Sequence, residues 1–129
     1  MEDIIMEELD KIVKYNRELN QLAIEIRNMP SGKEKNDIII SILQQMVYKA
    51  NKVMTSMMDL KMAMGYGDIN SPGTLRRLAF SLYKTKERFE AEKCGKKDSK
   101  LICCIYSEMV YNATKDVEGE LKRILPRMI

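Results

Sequence analysis

The side chains that could do chemistry in this chain are cations, carboxylates and thiols, because the sequence contains no histidine. Imidazole is the commonest general base and the commonest metal ligand in proteins. The chain also has neither a Gly-x-x-x-x-Gly-Lys phosphate loop nor a Gly-x-Gly-x-x-Gly dinucleotide loop. These residue types argue against catalysis. We therefore expect a protein that is not an enzyme and uses no metal and no cofactor.

Paired carboxylates are possible metal ligands in such a chain, since helical bundles can hold two metal ions through glutamates. That ligand set includes Glu-x-x-His pairs, which a chain without histidine cannot form. The acidic pairs Glu7–Glu8 and Glu118–Glu120 are predicted instead to be solvated side chains on helix surfaces.

The cysteines and the N-terminal residues indicate in which cellular compartment the protein resides. The chain has three cysteines, of which two are adjacent and none form a Cys-x-x-Cys pair, so reduced thiols are expected. They are Cys94, Cys103 and Cys104. The N-terminal Met-Glu-Asp is acidic where a signal peptide is basic, and no apolar run is long enough to span a bilayer. We expect a cytoplasmic protein without a membrane partner.

The positive charge of the chain is concentrated in one short stretch. Residues 76–100 carry nine Lys or Arg against four Asp or Glu, whereas residues 1–30 carry four basic and seven acidic side chains. A charge run is usually a solvated helix face, here partly neutralised by neighbouring glutamates. Contact with nucleic acid is the functional interpretation of the same run.

Within this stretch, three cations share one side of a predicted helix. At 100° per residue, Arg77, Lys84 and Arg88 fall within about 40° of one another. Phe80 and Tyr83 lie beside this row and away from the buried side. Long cations beside aromatic rings suit a phosphate backbone and unstacked bases. The pattern therefore predicts nucleic-acid binding without sequence specificity.

A second candidate surface is rich in methionine. Of eleven methionines, five lie between residues 54 and 64. Met54, Met58 and Met62 form a row about one helical position from the main apolar stripe of their helix. Methionine is flexible and polarizable, so this row could contact neighbouring subunits or a partner helix. Core filling is the alternative, and the helical spacing favours it.

The elements that must position these residues are predicted by apolar periodicity. Apolar residues at alternating four- and three-residue steps keep to one side of a helix. The clearest stripe comprises Ile39, Leu43, Met46, Ala50, Val53, Met57, Leu60 and Met64. Similar patterns predict helices over residues 2–28, 33–64, 71–93 and 98–125. Four amphipathic helices with short connections predict one domain over residues 1–129, an all-α antiparallel four-helix bundle with two long N-terminal helices.

Helix boundaries follow from capping residues. Ser31 and Glu34 form a possible capping box, and Ser71 is a plausible N-cap with Pro72 in the first turn. Asp98 or Ser99 is expected to cap the fourth helix. Its predicted stripe leaves Met109 and Val110 as alternatives, and Gly119 is expected to make this helix fray or bend.

One stretch resembles a known family. Ser71-Pro72-Gly73-Thr74-Leu75-Arg76-Arg77-Leu78 opens a basic helix, and Tyr111-Asn112-Ala113-Thr114-Lys115 follows some thirty residues later. Together they resemble the small helical subunit of type III CRISPR effector complexes, with Lys115 standing where the family has arginine. The resemblance covers residues 70–115. It implies a non-catalytic subunit of a ribonucleoprotein filament, in which Arg76, Arg77 and Lys115 line the path of the guide–target duplex.

Two functions remain open from the sequence. The first is a non-enzymatic subunit of a nucleoprotein complex that binds single-stranded nucleic acid or a guide–target duplex. Its third helix would contact phosphates, and its methionine-rich second helix would contact other subunits or a second copy of the chain. The second is a protein–protein adaptor or a regulatory bundle, such as one of viral origin, that binds a partner helix in a methionine-lined groove.

Overall fold

The computed structural model describes residues 2–29, 36–65, 69–91 and 96–125. Within these ranges the chain forms four α-helices and no strand, which confirms the all-α prediction. The helices are α1 (Glu2–Arg27), α2 (Asn36–Met64), α3 (Ser71–Glu90) and α4 (Lys96–Ile124). The predicted Ser31–Glu34 capping box and Cys94 lie outside the described residues.

The helices pack as a bundle in which each helix has two neighbours. α1 lies against α2 and α4, α2 lies against α3, and the α3–α4 pair is the least extensively packed. Hydrogen bonds join Asn16 to Thr114 and Lys100 to Arg27, so residue numbers rise along α1 as they fall along α4. The two helices are therefore antiparallel.

The predicted stripe of α2 forms the centre of the core. Seven of its eight members are buried, and Met64 is half-buried. In α4, Val110 is fully buried whereas Met109 is 41% exposed, so Val110 is the core residue of the two alternatives. In α1, Ile12, Leu19 and Ile26 repeat every seven residues and are likewise fully buried. The periodicity thus predicted the inward faces correctly.

Helix ends differ from the prediction at two places. The N-cap of α3 is Asn70 rather than Ser71, and its side chain makes no capping hydrogen bond. α4 begins at Lys96, so Asp98 and Ser99 lie inside the helix and the predicted cap is wrong. Lysine is a good helix former, which lets the helix extend to Lys96. α4 continues as one helix through Gly119 to Ile124.

Candidate nucleic-acid interface

The basic helix α3 is amphipathic, with an apolar face turned into the bundle. Its predicted inward residues Leu75, Leu78, Leu82 and Phe89 are all buried. The opposite face is exposed and carries two aromatic rings and four of the helix's five cations. These exposed residues are Arg76, Arg77, Phe80, Tyr83, Lys84 and Arg88. Burial of the apolar face therefore leaves the predicted row on the surface.

Hydrogen bonds to α4 fix the side of α3 on which the cations lie. The hydroxyl of Tyr106 in α4 meets the hydroxyl of Ser81. Thr85 Oγ1 lies 2.9 Å from the Tyr106 hydroxyl oxygen. Lys84 is three residues after Ser81, and Arg88 is three residues after Thr85. Residues three apart are neighbours on a helix surface. Both cations therefore lie on the side of α3 that faces α4.

Arg77 completes this row, because it precedes Ser81 by four residues. No carboxylate lies within 4.0 Å of Arg77 or Arg88 in the part of the chain that the structure describes. Their guanidinium groups are exposed to solvent. The two arginines can therefore donate to an external anion without first losing a described ion pair.

The lysines of α3 do have acidic neighbours on the same helix. Lys84 Nζ lies 3.9 Å from Glu87, at the outer limit of an ion pair, and Lys86 Nζ lies 3.1 Å from Glu90. Exposed pairs of this kind contribute about 0–1 kcal/mol and are screened by salt. A phosphate can therefore compete for Lys84.

The exposed rings of α3 each lie next to an ammonium group. Phe80 is 64% exposed, and Lys84 Nζ lies 5.6 Å from the centre of its ring. Lys86 Nζ lies 5.3 Å from the ring centre of Tyr83. A nucleic-acid base can stack on an exposed ring, while its phosphate contacts the cation beside that ring.

The five predicted nucleic-acid residues do not form one cluster. Arg77, Lys84 and Arg88 share one side of α3. Arg76 instead lines a groove of about 360 Å³ between α2 and α3. Lys115 lines a separate groove of about 400 Å³ where α4 passes the start of α3, and it pairs with Glu118 at 3.3 Å.

The predicted methionine row is divided between core and surface. Met54 is half-buried and packs on the core, and Met58 is half-buried as well. Met62 is 78% exposed. Met58 and Met62 line the same groove as Arg76, so the row opens toward α3 rather than forming an isolated patch.

Glu120 is a structural residue that the sequence did not reveal. It was predicted to be solvated, but it is 6% exposed, so that prediction is wrong. Its carboxylate accepts hydrogen bonds from the backbone N–H groups of Asn70 and Ser71, at 2.9 and 3.0 Å. These donors lack partners within α3, and their positive end attracts a carboxylate. α4 thus supplies the cap that Ser71 was expected to provide.

Thr114, within the second motif of the resemblance, also has a structural role. It is fully buried, and its Oγ1 donates to the carbonyl of Tyr111 at 2.7 Å. Asn20 Nδ2 donates to the same Oγ1, and Asn16 Nδ2 donates to the Thr114 carbonyl, each at 3.1 Å. This buried network joins α1 to α4. Of the five residues of this motif, Tyr111, Asn112 and Lys115 are exposed, whereas Ala113 and Thr114 are buried.

No protein-family model, no curated protein and no solved structure matches this chain. Among the described residues, no group of three or more Cys, Asp and Glu side chains is placed to hold a metal ion. None of the described helices combines the length and hydropathy that crossing a bilayer requires.

Proposed function

We propose that this protein is a non-enzymatic helical subunit of a nucleoprotein assembly, and that the outer face of α3 binds the nucleic-acid backbone. The observation that supports this most is the shared side of Arg77, Lys84 and Arg88. All three are exposed, and both arginines are free of carboxylates within the described ranges.

The electrostatics of α3 favour a polyanion. The helix carries five basic and two acidic side chains over twenty residues. A protein that neutralises phosphates releases counterions from the nucleic acid, which makes affinity fall with salt. The exposed rings of Phe80 and Tyr83 add stacking that does not depend on base identity. Binding should therefore be sensitive to salt and tolerant of sequence.

The resemblance to the small helical subunit of type III CRISPR effector complexes gives this proposal a specific form. In that form the chain would lie beside other subunits and contact a guide–target duplex. Met58 and Met62 would then contribute apolar contacts to a neighbouring subunit. This finer assignment depends on two short motifs, whereas binding through α3 depends on the geometry described above.

The test is a titration of a labelled single-stranded RNA at 50 and 200 mM salt. Three neutralised phosphates give a log–log slope of about −2 for a single strand, or roughly a 15-fold loss of affinity over this range. The variant Arg77→Glu, Lys84→Glu, Arg88→Glu should abolish binding while the helical circular dichroism stays unchanged. Retained binding by this triple variant would overturn the proposal.

A matched control changes three exposed cations of α1 by the same total charge. This control variant carries Lys11→Glu, Lys14→Glu and Arg17→Glu, all in a helix that does not contact α3 extensively. We expect this variant to weaken binding far less than the α3 variant. An equal loss in both variants would mean that net charge alone attracts the nucleic acid, and would count against a site on α3.

A further inference from the structure

The outer face of α4 carries an apolar row that the bundle leaves uncovered. Leu101, Ile105 and Met109 are 59%, 45% and 41% exposed. They are spaced by four residues and follow one side of the helix. Met109 follows Tyr106 by three residues and is its neighbour on the helix surface, and Tyr106 packs against the core and bonds to α3 through its hydroxyl. The row therefore borders α3 rather than α1.

This apolar row runs alongside the exposed row of α3. The Tyr106 hydroxyl of α4 meets the hydroxyls of Ser81 and Thr85 in α3, and Glu120 of α4 accepts the backbone N–H of Ser71. The two helices therefore run antiparallel with a fixed register. This register places three exposed residues of α3, of which Phe80 lies beside the cation row, level with the three residues of the apolar row. The levels pair Arg88 with Leu101, Lys84 with Ile105, and Phe80 with Met109.

The apolar row and the exposed rings indicate the form of the ligand. In a duplex the bases are stacked on one another, so that only the phosphate backbone and the edges of the bases in the grooves reach a protein surface. In a single strand the bases can unstack, and their faces are then available for contacts with rings and apolar side chains.

We infer that the α3–α4 surface, defined as Arg77, Phe80, Lys84, Arg88, Leu101, Ile105 and Met109, selects single-stranded over double-stranded nucleic acid. The cations of α3 hold the phosphates, and the aliphatic row of α4 packs against the unstacked bases. A duplex offers this surface only its phosphates, which would leave the apolar row against a charged backbone. The inference rests on the proposed function and names the substrate class of the same site.

Charge and ring chemistry favour this occupant over a protein helix. An acidic amphipathic helix would also match cations beside an apolar row. However, Phe80 lies at the centre of the exposed face of α3 with Lys84 Nζ over its ring. A flat base can stack on such a ring while its phosphate meets the neighbouring cation.

The experiment compares a single-stranded RNA with its duplex at one salt concentration, using the intact chain. We expect the wild type to bind the single strand at least about fivefold more tightly, which is the lower end of what stacking of one base contributes. The variant Leu101→Ser, Ile105→Ser, Met109→Ser should lose about tenfold in single-strand affinity and keep its duplex affinity within about twofold. Thermal melts followed by circular dichroism verify that the variants stay folded.

A matched control replaces the exposed apolar residues of α1, with Met6→Ser, Val13→Ser, Ile24→Ser, and should leave both affinities unchanged. Equal affinity of the wild type for the two forms would overturn the inference and leave the proposed function intact. Absence of salt-sensitive binding to either form would defeat the proposed function itself. If the α4 variant keeps its single-strand affinity but no longer binds a synthetic acidic amphipathic helix, the row docks protein and the inference is wrong.

Discussion

Glu120 of α4 closes the N-terminal end of α3 by accepting the backbone N–H of Ser71, 49 residues earlier in the chain. Its Oε2 atom also accepts the N–H of Asn70. The Glu120 side chain is only 8% exposed, so its charge is compensated by these donors and by the positive end of the helix. The contact sets the register of α3 against α4, and thereby the alignment of the two surface rows.

Replacing this cap should destabilise the bundle. Glu120→Ala leaves two helix N–H groups without their acceptor, and we expect the free energy of unfolding to fall by about 1–2 kcal/mol. Urea denaturation followed by circular dichroism measures the loss. Glu118→Ala is the control, because Glu118 only forms a half-exposed pair with Lys115 and should cost less than about 0.5 kcal/mol. Equal stabilities of the two variants would contradict the capping role.

The cap formed by Glu120 is a contact that could not be predicted from the sequence. The core stripe of α2 could be predicted because its period follows from helix geometry alone. The pairing of Glu120 with Ser71 depends on how two distant helices dock, and no local pattern carries that information. A glutamate next to an apolar stripe, as Glu120 is next to Leu121, has the same sequence context whether it is solvated or buried against the end of another helix. The wrong prediction for Glu120 follows from this ambiguity.

The candidate site was predicted only in part for a related reason. The α3 row could be predicted from periodicity, since Arg77, Lys84 and Arg88 lie on one helix. The aliphatic row of α4 was missed, although its signal is present as a second four-residue spacing next to the core stripe. Two adjacent apolar rows cannot be separated into core and surface without the neighbouring helix. The choice between Met109 and Val110 illustrates this directly.

Gly119 offers a gain in stability. It lies inside α4, and a Cβ atom built there would meet nothing within 4 Å. Glycine in a helix interior costs about 1 kcal/mol relative to alanine. We therefore expect Gly119→Ala to raise the free energy of unfolding by about 0.5–1 kcal/mol in the same denaturation assay.

The opposite result is expected at Gly65, which ends α2. Its φ of 68° lies in the left-handed region, and its N–H donates to the carbonyl of Lys61 at 2.9 Å. Alanine is strained in this conformation, so Gly65→Ala should destabilise by about 1 kcal/mol. If Gly119→Ala and Gly65→Ala change the free energy of unfolding in the same direction, the backbone conformation assigned to one of the two glycines is wrong.

Stability should also depend on pH through Glu18. A hydrogen bond of 2.8 Å from Lys49 Nζ holds the pKa of the Glu18 carboxyl below its ordinary value, and burial only partly opposes this. A depressed folded-state pKa stabilises the protein above the unfolded-state pKa. This contribution is lost as the pH falls through the folded-state pKa. It should be at most about 1 kcal/mol, because the pair is partly exposed.

Unfolding free energies at pH 7 and pH 3 isolate this contribution when the wild type is compared with Lys49→Met. The variant lacks the hydrogen bond that depresses the pKa, so it should lose less stability on acidification than the wild type. The difference should shrink in 1 M salt, where exposed charges are screened. An identical pH dependence in both proteins would show that the pair does not contribute.

The Tyr106 hydroxyl should control how firmly α3 is held against α4. It meets the hydroxyls of Ser81 and Thr85 at the least extensively packed helix pair of the bundle. Tyr106→Phe removes this bridge, while Thr85 Oγ1 can still donate to the Ser81 carbonyl of its own helix at 2.9 Å. We therefore expect a loss of about 1 kcal/mol, with the Thr85 hydroxyl still hydrogen-bonded.

Hydrogen exchange distinguishes a local from a general effect of this change. If the hydroxyl bridges α3 and α4, the amides of α3 should exchange faster in Tyr106→Phe, whereas those buried between α1 and α2 should change little. Tyr111→Phe is the matched control, since Tyr111 is exposed on the same helix. The loosened variant should also lose part of its preference for single strands, because the two surface rows no longer keep their register. Uniformly faster exchange in all four helices would show that Tyr106 stabilises the whole bundle rather than this one pair.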